Sequence, residues 1–593
     1  MQKLLKRFFD GVGMAVYRQL PLFLMVVSYS ILPALFDESP VSIGQLLFLL
    51  RQVILPAVIL CVLGNYKKWI WWIIFTVINL LFFIELGCFI SQHIRLNSVI
   101  AILILQSNKV EATEFLSSDY ENILKAIVGG VILVLSLVFI NAYWGKLSNK
   151  IAERSKSKLF NMFVLLAGFV LSLSVIYSPL TIYRCLDGYK EYFSRIHNNM
   201  TNASTFVSYY YILADTFFDD KINKLQTLAE TNMTTEVNDD SVKEDLKIVY
   251  IIGESFGRLH SNLYGYPKET NPHITKEIEN GSAFMYDNII SNSNYTHEVV
   301  PFMLSLCDID SSDEFMAHPL LPAVFKKGGF RVGYYDNQSL IGDSKHFDFG
   351  CTYFFSNPDV RESSIDEYNN KTFRYDSEMV SDYPPELSSG NNLIIYHFSG
   401  QHVDFFGRFP KEFSYFTAHD YSNVSEYTNS QAQVVAAYDN ATLYQDFTVF
   451  GIFELLRDKN AIVVFVPDHG EEVYDYRDHT GRDIAMSLEN IKVFYEVPVF
   501  IWVSDKFKSQ YPEDVEMLRG NRSKALFNSD LVHTLIDIAG LSTPTLNRDL
   551  SLLQKGRGRD RRMIRDIDYD SNRERIFNSK MRFEQESNID LVQ

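Results

Sequence analysis

Apolar residues form long runs in the first third of the chain and much shorter runs in the remainder. Five runs, each close to the ~20 residues that cross a bilayer as a helix, lie at 21–36, 45–64, 69–91, 124–143 and 159–178. The pattern predicts a transmembrane domain of five helices over residues 1–178. After residue 178 the apolar runs shorten to the length of strands, which predicts a soluble part.

Basic residues give this membrane part an orientation. Lys and Arg are concentrated in the segments 1–20, 67–68 and 145–158, whereas the segments 37–44 and 92–123 carry mostly Asp and Glu. Because basic loops stay in the cytoplasm, the N-terminus is expected to be cytoplasmic. An odd number of spans then places the soluble part outside, which in a bacterium is the periplasm.

Charge divides at the same point as hydropathy. Residues 1–178 carry 15 Lys and Arg against 9 Asp and Glu, whereas the remainder carries 40 against 63. An acidic soluble part argues against nucleic acid as a partner. Five cysteines in 593 residues are too few for a disulfide framework. Three of them, Cys185, Cys307 and Cys351, lie outside the apolar runs, and the sequence leaves their pairing open.

The soluble part is expected to comprise bridging helices with a linker at 179–245 and a catalytic domain at 246–593. Four apolar runs of strand length lie in that domain, at 248–252, 331–335, 393–396 and 461–466. They show no alternation of polar and apolar residues, which is typical of parallel strands that are buried on both faces. We therefore predict an α/β/α domain with a mostly parallel central sheet.

Polar residues follow each of these strands. They are Glu254, Asn337, His402, Asp468 and His469, with His479 ten residues beyond His469. Ligands of such folds gather where the strands end, so these side chains are expected to converge at one edge of the sheet. Carboxylates combined with imidazoles are typical ligands of zinc, and manganese is the alternative.

A metal of this kind activates hydroxyl nucleophiles, and two hydroxyls are candidates. Ser255 follows Glu254 directly, where it also has the position of a helix cap. Thr296 precedes an acidic first turn and Pro301, which predicts that it lies at the start of a helix, where free amides bind phosphate. The chemistry favours Thr296 and leaves Ser255 as the alternative.

Three longer motifs carry a resemblance to a known family. They are Gly253-Glu254-Ser255 with Tyr264 to Pro272, Tyr438-Asp439-Asn440 with Leu443 to Asp446, and Asp468-His469-Gly470-Glu471-Glu472. Together with the five apolar runs, they resemble the membrane-bound phosphoethanolamine transferases of Gram-negative bacteria, in the alkaline phosphatase superfamily. The resemblance implies an inner-membrane enzyme that moves phosphoethanolamine from phosphatidylethanolamine to lipopolysaccharide through a covalent intermediate on threonine.

The resemblance also implies roles for individual residues. The zinc site would consist of Glu254, Thr296, Asp468 and His469, with Thr296 as the nucleophile. Histidines at two further positions, His402 and His479, would bind phosphoethanolamine, hold a second metal or transfer protons. Polar residues of the outer membrane loop, Ser107 and Glu111, would bind the donor lipid, and Asn337 is expected to contact substrate.

Departures from the family pattern bear on the acceptor. Members that modify lipid A usually have cysteines around the nucleophile, whereas the segment from Asn292 to Phe302 has none. The sequence is therefore expected to modify a sugar of the lipopolysaccharide core. The alternatives are a phosphoglycerol transferase or a sulfatase-like hydrolase of the same superfamily and, more remotely, a non-catalytic membrane sensor. The basic run from Lys555 to Arg565 is expected to be a solvated surface segment.

Overall fold

The chain divides into two compact units, Met1–Asp219 and Asp220–Gln593. The computed structural model describes residues 2–35, 43–92, 120–154, 162, 165–166, 221–238, 241–311, 315–341, 352–387, 389–422, 424, 426–482 and 486–582. The finer boundaries at residues 178 and 245 stay predictions.

The first unit is helical. Its helices are α1 (Gln2–Arg18), α2 (Leu20–Leu35), α3 (Ile43–Tyr66), α4 (Lys68–Gln92) and α5 (Tyr120–Arg154). Helices α2, α3 and α4 share a core that includes the fully buried side chains of Val26, Val53 and Ala57 and the nearly buried ring of Phe75. Burial of these apolar groups holds the helices against one another.

The count of five membrane helices is not confirmed. By length and hydropathy, no single helix in the described part of the chain meets the requirement for a membrane span, whereas Arg7–Arg18 and Leu20–Tyr29, bent by 78° where they meet, satisfy it as a pair. Apart from residues 162, 165 and 166, the fifth run at 159–178 lies outside the described residues, as do Ser107 and Glu111.

The second unit alternates helices and strands. Its strands are β1 (Leu246–Gly253), β2 (Ala283–Tyr286), β3 (Ile289–Ile290), β4 (Arg331–Asp336), β5 (Glu367–Tyr368), β6 (Asn392–His397), β7 (Asn460–Pro467), β8 (Glu472–Val473), β9 (Thr480–Gly481), β10 (Val499–Val503), β11 (Leu526–Phe527), β12 (Met563–Ile564) and β13 (Ile567–Asp568). Its helices are α6 (Lys221–Thr234), α7 (Pro272–Glu279), α8 (Thr296–Met303), α9 (Leu321–Lys327), α10 (Pro358–Ser364), α11 (Asp376–Asp382), α12 (Asn429–Leu456), α13 (Leu488–Phe494), α14 (Asp505–Gln510), α15 (Pro512–Gly520), α16 (Leu531–Ala539) and α17 (Tyr569–Phe577).

Seven strands form the central sheet, in the order β2-β10-β7-β1-β6-β4-β5. Strands β7, β1, β6, β4 and β5 are parallel, and only β10 runs antiparallel to its neighbours β7 and β2. The four strands expected from the apolar runs are β1, β4, β6 and β7. The prediction of a mostly parallel sheet is thus confirmed.

Register brings the ends of these strands together. Gly253 of β1 is opposite Pro467 of β7, and Asp336 of β4 is opposite His397 of β6. Because each of these residues ends its strand, the residues that follow leave the sheet at the same edge.

Both faces of the sheet are covered. Ile248 and Tyr250 of β1 pack into one apolar core, which includes α16, whereas Val249 and Ile251 pack into another, which includes the end of α12. Successive residues of a strand point to opposite faces, so a strand with apolar cover on both sides needs apolar residues throughout. This arrangement explains the absence of alternation in the sequence.

Candidate active site

Three side chains that could hold a metal ion meet at the edge where β1 and β7 end. Glu254 follows β1, Asp468 and His469 follow β7, and a ligand atom from each lies within 4.8 Å of the others. The backbone N–H of Asp468 donates to the carbonyl of Gly253 at 2.9 Å, which fixes the two strand ends side by side. All three side chains are fully buried. The structure thus brings together the ligands that the sequence places far apart.

The hydroxyl of Thr296 lies against this cluster. Its Oγ1 is 3.2 Å from Glu254 Oε2 and 3.1 Å from His469 Nε2. Thr296 is the first residue of α8, with Glu298 in the first turn, as the sequence predicts. Thr296 is partly exposed although its neighbours are buried, so solvent-borne groups can approach it from one side. The positive end of the helix dipole also favours an anion here.

Hydrogen bonding orients the imidazole of His469. Its Nδ1 lies 3.0 Å from the carbonyl of Gly470, and a carbonyl only accepts, so Nδ1 carries the proton. The lone pair of Nε2 is then directed toward the carboxylates and Thr296. A histidine that ligates a metal is typically held in this way by a backbone carbonyl.

The donor set fits a metal ion. Asp468 Oδ1 accepts from the backbone N–H groups of Ser255 and His469, at 3.1 and 2.7 Å. Its Oδ2 is buried and accepts no hydrogen bond from the described residues, although His469 Nε2 lies 3.0 Å away. Burying a carboxylate oxygen without a donor is costly. A cation bound by Glu254, Asp468, His469 and Thr296 would remove this cost.

Ser255 supports the carboxylates. Its hydroxyl donates to Glu254 Oε1 at 2.6 Å and lies 3.2 Å from Glu471 Oε2. Its backbone has a positive φ of 55°, and the short helix that begins at Arg258 receives no side-chain cap. The interpretation of Ser255 as a helix cap is therefore wrong, because the chain turns sharply here and directs the hydroxyl at the carboxylates.

The loop after β6 approaches Glu254 closely. Gln401 donates its backbone N–H to the carbonyl of Glu254 at 3.1 Å. Gly400 has a φ of +44°, and a Cβ at this position would lie 2.8 Å from the same carbonyl. Only glycine combines this backbone conformation with so close an approach. The loop delivers His402 near the cluster.

The imidazole of His402 lies near the cluster but makes no hydrogen bond with it in the described part of the chain. No hydrogen bond among the described residues joins it to the metal-binding side chains or to Thr296, and its Nδ1 is 3.4 Å from Arg408 Nη2. Burial lowers its pKa to about 4, so the ring is neutral at neutral pH.

The side chain of Asn337 makes hydrogen bonds within the protein that hold neighbouring segments together. Its Nδ2 donates to Asp376 Oδ1 at 2.8 Å and its Oδ1 accepts from the backbone N–H of Phe373 at 2.6 Å. Asp376 in turn accepts from the backbone N–H groups of the loop after β6. The next residue, Gln338, is the one that reaches the cluster, since its Nε2 donates to Glu254 Oε2 at 2.8 Å. The strand-end pattern of the sequence points to Asn337, one residue before Gln338.

Arg482 also lies against the cluster, although the sequence pattern does not point to it. Arg482 Nη1 is 2.5 Å from His469 Nε2, and Arg482 Nε is 3.4 Å from Glu471 Oε2. Burial raises the pKa of the Glu471 carboxyl, an effect that the charge of Arg482 opposes. His479 lies in the same hairpin and points to the same side as Glu471. Both side chains lie next to Gly481, since a Cβ at Gly481 would be 3.8 Å from His479 Nε2 and 3.6 Å from Glu471 Oε1. No strand pattern marks this arginine in the sequence.

Comparison with known proteins assigns the fold. The model of the sulfatase family matches residues 247–541, which include the metal-binding cluster, Thr296 and Arg482. Residues 247–541 are a sulfatase-family domain. The resemblance to phosphoethanolamine transferases is confirmed by relatives of this chain.

Two of these relatives are phosphoethanolamine transferases by name. Phosphoethanolamine transferase EptC of Escherichia coli O18:K1:H7 is 27% identical over 338 residues, which cover 54% of this chain and 56% of the relative. Kdo(2)-lipid A phosphoethanolamine 7''-transferase of Salmonella typhimurium is 26% identical over 313 residues, which cover 51% and 53%. The chain thus spans about half the length of the relatives it matches.

One solved structure resembles both units of the chain. It is the integral membrane protein lipooligosaccharide phosphoethanolamine transferase A (EptA) from Neisseria meningitidis, with a TM-score of 0.55 and 16% identity. The match covers 92% of this chain and 97% of that protein. At this identity the likeness concerns the fold.

Proposed function

We propose that this chain is a metal-dependent phosphoethanolamine transferase that acts on lipopolysaccharide. The observation that carries the proposal is the partly exposed hydroxyl of Thr296, which lies against a buried cluster of two carboxylates and one imidazole. Relatives that bear the name phosphoethanolamine transferase support the group transferred. The donor in this proposal is phosphatidylethanolamine.

Zinc is the proposed metal, held by Glu254, Asp468, His469 and Thr296. Mixed carboxylate and imidazole ligands suit zinc. Bound there, it would lower the pKa of the Thr296 hydroxyl and neutralise charge on a phosphoryl oxygen. Ser255 and Gln338 hold the carboxylate of Glu254 in place for this role.

In the first half-reaction the hydroxyl of Thr296 gives up its proton to solvent, and Oγ1 attacks the phosphorus of the donor. A bond forms between Oγ1 and phosphorus while the bond from phosphorus to the glycerol oxygen breaks. His479, in the hairpin beside Glu471, is the proposed donor of the proton that the glycerol oxygen takes up. Diacylglycerol leaves and remains in the bilayer, and phosphoethanolamine stays on Thr296.

In the second half-reaction a group on lipopolysaccharide attacks the same phosphorus. The bond to Thr296 Oγ1 breaks, and the oxygen takes up a proton from solvent, which restores the free hydroxyl. His402 is the proposed group that takes the acceptor proton, since burial lowers its pKa and keeps its ring neutral at neutral pH. Two half-reactions at one nucleophile give ping-pong kinetics.

The first unit is proposed to hold the enzyme in the bacterial inner membrane, with the sulfatase-family domain in the periplasm. Large apolar side chains of α4 and α5 are exposed, among them Trp69 at 61% and Phe139 at 73%, which suits contact with lipid. Ser107 and Glu111 are proposed to bind the donor headgroup. Keeping donor and nucleophile at one membrane surface raises their effective concentration.

The core of lipopolysaccharide is the favoured acceptor. Its support is the lack of cysteine between Asn292 and Phe302, which sets the chain apart from members that modify lipid A. A phosphoglycerol transferase or a sulfatase-like hydrolase would use the same metal and nucleophile and differ in the donor.

The test uses the purified full-length chain in vesicles that contain phosphatidylethanolamine or phosphatidylglycerol, with lipopolysaccharide as acceptor. We expect diacylglycerol release from phosphatidylethanolamine alone, and a gain of one phosphoethanolamine on the core fragment in mass spectra. Exposed Thr234 provides a matched control for Thr296→Ala, because Thr234→Ala also removes a threonine hydroxyl but is expected to be as active as the unaltered chain. Release from phosphatidylglycerol alone would contradict the proposal.

A further inference from the structure

The position of Arg482 beside the nucleophile is unexplained by the ligand set. Arg482 Nη1 contacts His469 Nε2 at 2.5 Å, and this Nε2 of His469 is 3.1 Å from Thr296 Oγ1. Nη1 also lies 3.4 Å from the carbonyl of Asn294. The guanidinium and the hydroxyl are thus neighbours that share one contact atom.

A short hairpin places this arginine. Strands β8 and β9 are antiparallel, with Glu472 opposite Gly481. Glu471, which directly precedes β8, therefore lies beside Arg482, which directly follows β9. Glu471 is 4% exposed, and its Oε2 lies 3.4 Å from Arg482 Nε and 3.2 Å from the hydroxyl of Ser255. The buried carboxylate thereby anchors the guanidinium through Nε, next to Ser255.

The contact of the guanidinium with His469 and its contact with Glu471 differ in kind. A guanidinium offers only donors, so Nη1 occupies the single lone pair of His469 Nε2, which is the lone pair that a metal ligand needs. A bound metal would take this lone pair and release the N–H groups of Nη1. The contact between Nε and Glu471 involves no metal ligand, so it keeps the arginine beside Thr296.

We propose that Arg482, positioned by Glu471, binds the phosphoryl oxygens of the phosphodiester that Thr296 attacks. This inference rests on the proposed function. A guanidinium matches two oxygens of a phosphate with two parallel N–H groups, which a lysine ammonium does not reproduce. Negative charge on those oxygens is stabilised by a fixed donor during transfer, and loss of one such donor typically slows a reaction about 100- to 1,000-fold.

A binding experiment separates this role from that of a simple counter-ion to the carboxylates. The zinc-loaded full-length chain is titrated with inorganic phosphate by calorimetry, as the unaltered chain and as Arg482→Ala, Arg482→Lys and Glu471→Gln. Arg331→Ala is the control, since that arginine is half exposed and pairs with Glu367 at the far end of β4. Zinc content is measured for every variant.

We expect Arg482→Ala to bind phosphate at least about tenfold more weakly, with unchanged zinc content. Arg482→Lys and Glu471→Gln should fall in between, and Arg331→Ala should equal the unaltered chain. Phosphate affinity that is unchanged in Arg482→Ala would overturn the proposal. So would a loss of zinc in parallel with phosphate, because the arginine would then serve only the metal-binding cluster.

Turnover of phosphatidylethanolamine distinguishes the failure of this inference from that of the proposed function. With an active unaltered chain, Arg482→Ala is expected to lower kcat/KM about 100-fold, and full activity of this variant would refute the role of Arg482 alone. An unaltered chain that releases no diacylglycerol, but binds phosphate through Arg482, would refute the donor and support the arginine.

Discussion

Two buried charge clusters follow β1 within a few residues of each other, and they are built on opposite principles. The first surrounds Glu254 and His469 and joins Thr296. The second surrounds His260, which lies in the short helix Arg258–His260. The carboxylates and the imidazole of both clusters are buried, yet only the first leaves carboxylate oxygens and an imidazole lone pair facing one another.

The second cluster is internally matched. His260 Nδ1 lies 2.7 Å from Asp439 Oδ1, and its Nε2 lies 3.1 Å from Asp475 Oδ1. The other oxygen of Asp439 accepts from the hydroxyls of Tyr266 and Tyr421. Burial alone would lower the pKa of His260, but the two carboxylates raise it to about 10. The protein thus supplies its own cation here.

The first cluster lacks this balance. Asp468 Oδ2 is buried without a hydrogen-bond donor among the described residues. The guanidinium of Arg482 contacts the cluster at His469 Nε2 and not at this oxygen. Buried carboxylates need a partner charge. The surplus of hydrogen-bond acceptors sets the proposed metal site apart from the second cluster, whose complete set of partners makes it a structural network.

The largest expected effect concerns the nucleophile. Thr296→Ala removes the hydroxyl and should lower kcat for diacylglycerol release by about 1,000-fold or more, whereas Thr296→Ser keeps a hydroxyl and should retain measurable activity. Initial rates with phosphatidylethanolamine vesicles check this. Substantial activity in Thr296→Ala would transfer the role to another group, with Ser255 first to be examined.

The next effect concerns the matched cluster. His260→Ala leaves Asp439 and Asp475 buried without their shared cation, so the free energy of unfolding should fall by about 3–5 kcal/mol. Urea unfolding of the full-length chain in detergent, followed by tryptophan fluorescence, measures it. Zinc content of the folded variant should be unchanged, and a variant that loses zinc while keeping its stability would reverse the assignment of the two clusters.

Metal removal should affect the first cluster alone. Treatment with a chelator is expected to abolish transfer and to lower stability, by about 2.7 kcal/mol relative to protein at a zinc concentration 100-fold above its Kd. Added zinc should restore both. In Glu254→Gln, where one ligand charge is missing, the stabilisation by zinc should be clearly smaller, and an equal stabilisation would place the metal elsewhere.

The smallest effect is a dependence of stability on pH. The pKa of His260 is raised from 6.5 to about 10, so its contribution is fully present below pH 6.5 and is lost as pH rises toward 10. Other groups titrate in this range, including His397, whose pKa Asp336 raises to about 9 against the effect of burial. The measurement is therefore the difference between the unaltered chain and His260→Gln, and equal slopes would contradict the account.

Strand ends explain how much of the site the sequence could reveal. Buried parallel strands have an unmistakable apolar pattern, and the residues directly after β1 and β7 provide Glu254, Asp468 and His469. Gln338 and Arg482 lie beyond this pattern. They reach the cluster through the path of a loop and a hairpin, and that path depends on contacts made elsewhere in the fold.

The basic segment from Lys555 to Arg565 also depends on contacts that the sequence pattern does not reveal. It was expected to be a solvated surface, and this expectation is wrong for two of its arginines. Arg562 is fully buried and pairs with Asp570 at 2.5 Å, while Arg559 pairs with Asp308 and Asp530 at 3.0 and 2.7 Å. Partners more than 200 residues away in sequence, such as Asp308, cannot be paired from composition.

Mass spectrometry of the peptide that contains Thr296 tests the central claim most directly. The full-length chain is incubated with phosphatidylethanolamine in the absence of acceptor, quenched with acid and digested. The account predicts one phosphoethanolamine group on Thr296, its loss when lipopolysaccharide is added before quenching, and no modified peptide from Thr296→Ala. An unmodified Thr296 in a preparation that releases diacylglycerol, or phosphoethanolamine on Ser255, would contradict it.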